Sequence, residues 1–79
     1  MKTIEIKANE FFELIKGRAI SMWSMFEEMV TEEEQLILFL DEEGKEIAHY
    51  ILPTNVEQVK EDQKVFAETF KEKLKSAMN

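Results

Sequence analysis

The sequence predicts an α+β fold in the order β-α-β-β-α, a small antiparallel hairpin sheet packed on two helices. Three observations carry that reading: a polar–apolar alternation at the start of the chain, a helical stripe after it, and two apolar runs split by a glycine turn ahead of a second stripe. The 79 residues make one small domain, and a chain of this size buries only about 60% of the surface its unfolded form exposes. Its 44% hydrophobic content, with six Phe, one Trp and one Tyr, is still too apolar for a disordered chain.

The first element is a half-buried strand, because Thr3 to Lys7 sets Ile4 and Ile6 against Thr3, Glu5 and Lys7. Asn9 then offers a helix N-cap, with Glu10 and Glu13 well placed in the first turn. Apolar residues from Phe11 through Ile15, Met22 and Phe26 to Val30 recur at three- and four-residue steps, and Gly17 predicts a kink or a break into two helices. A strand over residues 19–26 is the competing assignment, but Ser21 and Ser24 would fall on opposite faces, which favours helix. Leu36 to Leu40 reads as a strand by length and flanks. Asp41-Glu42-Glu43-Gly44 suits a type I turn whose glycine takes the left-handed bulge position, and Ile47 to Leu52 returns as the partner before Pro53 ends it.

Thr54-Asn55-Val56-Glu57 has the capping-box pattern of a helix start. Val56, Val59, Phe66, Phe70, Leu74 and Ala77 form the stripe that follows, with Lys71, Lys73 and Lys75 placed late to suit the helix dipole. A helix from Asn55 to Ser76 would run about 33 Å at 1.5 Å per residue, against about 20 Å for a six-residue strand. It should therefore overhang the sheet.

Both hairpin strands are apolar on both faces: Leu36, Leu38 and Leu40 oppose Ile37 and Phe39, while Ile47, His49 and Ile51 oppose Ala48, Tyr50 and Leu52. An antiparallel sheet with one wet face should alternate cleanly. Either two helices cover one face each, or an uncovered face is an interface, with a homodimer mate among the candidates. Ile37, Phe39, Tyr50 and Met25 are the candidate apolar interface; Met25 lies off the main stripe of a Met-rich helix that reads first as core.

No catalytic machinery is visible. There is no Cys, hence no disulfide, thiolate nucleophile or cysteine-ligated zinc. His49 is the sole histidine, on a strand with apolar neighbours, and reads as half-buried and structural. The serines lack a nucleophile-elbow context, and Gly17 and Gly44 are too isolated for a phosphate loop. The hairpin turn lacks the alternating ligands of a calcium loop. The expectation is a non-enzyme without cofactor or dedicated metal. The longest apolar run, Leu36 to Leu40, is far short of the roughly 20 residues that span a bilayer, and the N-terminus lacks the apolar core of a signal peptide. A cytoplasmic location is expected.

Charge supplies the strongest clue. Net charge is −7, yet residues 27–46 hold nine acids against one base, Lys45, while the remainder holds nine bases and eight acids. This charge is expected to gather into one pole, formed by the end of the first helix and the hairpin tip, with Glu32, Glu33, Glu34, Asp41, Glu42 and Glu43 as its partner-binding residues. Such a field repels nucleic acid and anionic membrane and attracts basic partners. Glu32 to Glu34 also oppose the dipole of the helix they follow. The leading expectation is a binding module that neutralises or regulates a basic, nucleic-acid-handling protein, as an inhibitor of the nucleic-acid-mimic type.

A family resemblance offers a second expectation. Met1-Lys2-Thr3-Ile4 before a helix, Leu36-Ile37-Leu38, and Gly44-Lys45-Glu46-Ile47-Ala48 are together similar to the Phd/YefM-type antitoxins over about residues 1–55. The last run resembles the glycine–lysine–x–valine–alanine of that family's hairpin. The resemblance implies a dimeric autorepressor whose residues 56–79 wrap a toxin. The chain departs from the family at Asn9-Glu10-Phe11-Phe12-Glu13, where the family's first helix bears Ala and Arg. A third expectation is a small oligomeric assembly subunit that uses the two-sided sheet.

Overall fold

The computed structural model describes residues 1–78, and the side chains of residues 71 and 75–78 fall outside that description. The expected contributions of Lys71, Lys75 and Ala77 therefore lie outside the described residues. The elements are β1 (Lys2–Lys7), α1 (Ala8–Gly17), α2 (Met22–Met29), β2 (Gln35–Leu40), β3 (Glu46–Leu52) and α3 (Val56–Met78). The α+β class holds, with the order β-α-α-β-β-α. The sheet is larger than the expected hairpin: β1 joins it as a parallel neighbour of β2, giving a mixed three-stranded sheet in the order β1-β2-β3. A parallel pair needs a long crossover, and α1 with α2 supplies it.

The helix break is sited just beyond Gly17. The N–H of Ala19 donates to Lys16 O at 3.1 Å and that of Ile20 to Ile15 O at 3.0 Å, the paired bonds of a Schellman motif. Its left-handed residue is Ala19, at φ 55°, where glycine would be usual. Ser21 then caps α2, its hydroxyl accepting from the Ser24 N–H at 3.0 Å. This turn resets the helical phase. Met25 faces inward as a result, 6% exposed beside Met22, Trp23 and Phe26, and not outward as continuation of the α1 stripe would have it.

Two further caps differ from expectation. α1 starts at Ala8 directly after β1, with Lys7 at the N-cap and no side-chain cap, so Asn9 is already inside the helix. At α3 the cap is Asn55, whose Oδ1 accepts from the Gln58 N–H at 2.8 Å; the motif is Asn55-x-x-Gln58, one residue beyond the Thr54–Glu57 box. The hairpin turn forms as its sequence predicts. Gly44 sits at φ +85°, its N–H donates to Asp41 O at 3.1 Å, and the β2–β3 register shifts between Phe39 and Leu40.

The core lies on one side of the sheet. Phe11 and Ile15 from α1, the inward residues of α2, and Val59, Phe70 and Leu74 from α3 close over Ile37, Phe39, Ala48, Tyr50 and Leu52. Its centre is aromatic: Phe26 stacks on Tyr50 at 4.9 Å between ring centroids and on Phe11 at 5.9 Å, and Phe39 meets Phe70 edge-on at 5.6 Å. Fully burying one such side chain contributes about 1.5–3 kcal/mol. On α3, Phe70 lies over Tyr50 of β3 and also approaches Trp23 and Phe26 of α2, each at 6.2 Å between ring centroids. All three helices thus serve one face, and none covers the other.

Candidate protein-binding surface

Strand β2 decides where the acidic residues go. Glu32, Glu33 and Glu34 lie in the loop before it, and Asp41, Glu42 and Glu43 in the turn after it. A six-residue strand holds the two groups about 20 Å apart. The single acidic pole expected from the sequence is therefore two acidic ends, because neighbours in sequence are carried to opposite ends of an extended strand. The separation exceeds the screening length of about 8 Å at physiological salt, so each end acts as its own local field.

Both ends are built, not loose. At the first, Gln35 is the only buried polar side chain among the described residues. Its Nε2 donates to Met29 O at 2.9 Å and to Thr31 Oγ1 at 3.1 Å. The Thr31 hydroxyl in turn donates to Glu33 O at 2.9 Å and accepts from the Glu33 N–H at 3.3 Å. Glu32 and Glu34 are exposed, and Glu33 faces the N-terminal amine at 3.5 Å. At the other end, Asp41 Oδ1 accepts from the N–H groups of Glu43 and Lys45, each at 2.9 Å. Asp41 is thus a turn-forming residue, whereas Glu42 and Glu43 project freely. Gln35 escaped sequence reasoning because a polar residue at a strand end reads as a boundary, and only the folded loop shows what its amide holds.

The expected apolar interface is corrected. Ile37 and Phe39 are 0% exposed, Tyr50 is 7% and Met25 6%, and all four belong to the core. The face that looks outward is the opposite one. Leu36, Leu38 and Leu40 are half-buried along its centre, and Ile51 on β3 is 48% exposed. In register, Thr3, Glu5 and Lys7 of β1 flank the three leucines, with Ile51 and His49 opposite Leu36 and Leu38 on β3. His49 is exposed on this face, 3.4 Å from Glu46 Oε2, and not half-buried as expected. Part of the signal lay in the sequence, since Thr3, Glu5, Lys7 and His49 are polar where their strand neighbours are apolar, but only the observed strand pairing sets them beside the leucines and marks the wet side.

Concavities among the described residues flank the sheet. One, of about 480 Å³, runs between β3 and α3 and is lined by Tyr50, Ile51, Asp62, Phe66, Phe70 and Lys73; Phe66 is 46% exposed there. At its wall the Tyr50 hydroxyl donates to Asp62 Oδ2 at 2.6 Å, while Gln58 Nε2 donates to Asp62 Oδ1 at 3.0 Å. Burial, and then the hydrogen bond and charge of Asp62, push the Tyr50 pKa well above its ordinary value. The other, of about 340 Å³, lies between the start of α1 and the hairpin turn, lined by Asn9, Leu40 and Asp41 among others. Among the described residues, no group of three or more His, Asp or Glu is placed to hold a metal ion, and no helix is long and apolar enough to cross a membrane. No family model, curated protein or solved structure matches the chain.

Proposed function

We propose that the protein is a non-enzymatic binding module for a basic protein partner, of the kind that handles nucleic acid. One observation carries this reading: the two exposed acidic clusters, Glu32–Glu34 and Glu42–Glu43, at either end of the sheet, in a segment of nine acids and one base. Carboxylates set about 20 Å apart on a rigid strand offer a surface built for phosphates a patterned set of counter-charges. The cost of binding is lowered because Gln35, Thr31 and Asp41 already order the loops that present them.

The test is affinity capture from the native cell with a salt-gradient elution, repeated with Glu42→Lys/Glu43→Lys and with Glu32→Lys/Glu34→Lys. Asp41 is left alone because the turn depends on it. The expected result is a basic nucleic-acid-handling protein that elutes at lower salt from either variant. Equal retention by all three proteins would overturn the reading.

An antitoxin-like role is the second reading, favoured by the exposed apolar pair Val65 (69% exposed) and Phe66 on α3, within the segment that would engage a toxin. Deleting residues 56–79 cannot test it cleanly, since Val59, Phe70 and Leu74 belong to the core. Val65→Lys with Phe66→Ser is the better probe. Such a protein should also bind its own promoter DNA at low salt, and failure to do so would remove the repressor half.

A further inference from the structure

We infer that the groove between β3 and α3 is a self-association surface, where two copies of the chain pair their β3 edges antiparallel and set their α3 helices side by side. The inference is independent of the acidic ends and goes beyond them. Its first support is a contrast between the two edges of the sheet, β1 and β3. An edge strand carries a row of N–H and C=O groups without ladder partners, and proteins guard such edges with charge. β1 is guarded, since Lys2, Glu5 and Lys7 are exposed along it. β3 is not: from Ala48 to Leu52 it holds no Asp, Glu, Lys or Arg. Ala48, His49, Tyr50 and Ile51 line the groove in succession, so the backbone edge itself forms one wall.

The second support is the opposite wall. α3 runs back along β3, because Asp62 bonds to Tyr50, whereas Phe70 lies 5.6 Å from Phe39, the residue paired with Ala48. Asp62, Phe66, Thr69 and Lys73 follow one another at three- and four-residue steps on the groove side of the helix. Phe66 in the middle and Ile51 across from it are apolar and exposed.

The third support is charge, and it selects the occupant. This wall has an acid at one end and a base at the other, about 16 Å apart along the helix axis. A two-fold axis through the groove exchanges the ends. Asp62 of each copy then approaches the partner subunit's Lys73, and Phe66 packs near its own counterpart, as an isologous contact requires. The Asp62 carboxylate accepts from Tyr50 and Gln58 and keeps lone pairs for an ammonium group. The strands agree with this symmetry. Directly opposed residues of an antiparallel pair share a face, so pairing centred on Tyr50 sets His49 against the partner subunit's Ile51. Glu46 falls against the partner subunit's Thr54, and no acid opposes an acid. A foreign strand would make the same edge bonds without the two reciprocal ion pairs.

The experiment is sedimentation of the full chain from about 1 µM to 1 mM, the range over which such contacts associate. A reversible monomer–dimer equilibrium is expected, with amide exchange slowed within Ala48–Ile51 as concentration rises and unchanged along β1. Phe66→Lys and Ile51→Lys should each weaken the dimer at least about tenfold, and Lys73→Glu, which sets acid against Asp62, by a similar factor. Leu14→Lys replaces a comparably exposed apolar residue on α1 and should leave the equilibrium unchanged. Circular dichroism of each variant as a monomer checks that the fold is retained.

A monomer throughout this range would overturn the inference. So would a dimer indifferent to Phe66→Lys and Lys73→Glu, or one weakened equally by Leu14→Lys. A dimer lost on Leu38→Thr but not on Phe66→Lys would overturn it in favour of the open face of the sheet. None of these outcomes touches the acidic reading, which the salt-gradient capture tests separately.

Discussion

Beyond Gln35, both faces of β2 are wholly apolar, yet they are opposite in fate. Ile37 and Phe39 lie under three helices and a cluster of aromatic rings, while Leu36, Leu38 and Leu40 look out between polar rows. What separates them is not their own hydrophobicity but their neighbours' side chains. The inner face is continued by Ile4 and Ile6 on β1 and by Ala48, Tyr50 and Leu52 on β3, whereas the outer face is continued by Thr3, Glu5, Lys7 and His49, with Ile51 its one apolar partner beside Leu36. A central strand that is apolar on both sides leaves the choice of core to the flanking strands.

Substitution should break this comparison most sharply on the inner side. Phe39→Ala is expected to cost about 3–5 kcal/mol, measurable by denaturant unfolding and enough to unfold much of a domain this small. Leu38→Ala, one residue away on the same strand, should cost about 1 kcal/mol or less, because its side chain keeps solvent contact before and after. Comparable losses from the two would refute the assignment of faces.

Tyr50→Phe sharpens the contrast at the edge of the core. The charge-assisted bond to Asp62 disappears, at an expected cost of about 1.5–3 kcal/mol. Its pH signature has a defined sign. Burial and Asp62 raise the folded pKa above the unfolded value near 10, so the folded form holds the phenol proton more tightly. The contribution is complete below about pH 10 and is lost as pH climbs toward the raised folded value. Tyr50→Phe should therefore flatten the alkaline limb of a stability–pH curve, and absorbance titration of this single tyrosine should show ionisation delayed until unfolding.

Smaller effects are expected at the turns that direct chain to one face or the other. Ser21→Ala removes the cap that starts α2 and should cost about 1 kcal/mol. Ala19→Gly should stabilise, by about 0.5–1 kcal/mol, because Ala19 pays for a left-handed conformation that glycine adopts freely. A raised melting temperature in that variant would confirm that the α1–α2 reversal, and with it the inward phase of Met25, is set by this turn.

Much of the fold was legible from local signals: the alternation at Ile4 and Ile6, the glycine of the hairpin and the apolar stripe through Phe26 each named an element. What escaped was relational. Nothing between residues 1 and 35 announces that β1 pairs parallel with β2, since pairing depends on where the crossover helices deliver the chain. The acidic segment showed its composition but not its geometry, because charge can be counted along a sequence while its direction depends on the strand within it. Met25 was misplaced for a related reason. A helical stripe predicts facing only while the helix continues, and at Ala19 it does not.

The parallel β1–β2 pairing also bears on how the molecule assembles. The β2–β3 hairpin joins residues close in sequence and can form early, whereas Ile4 reaches Ile37 only after α1 and α2 have closed the intervening loop. The strand bonded on one side and dependent on the longest closure should be the last secured and the first released. Amide exchange should then detect an opened form in which β1 has left its place while the hairpin and the aromatic cluster persist.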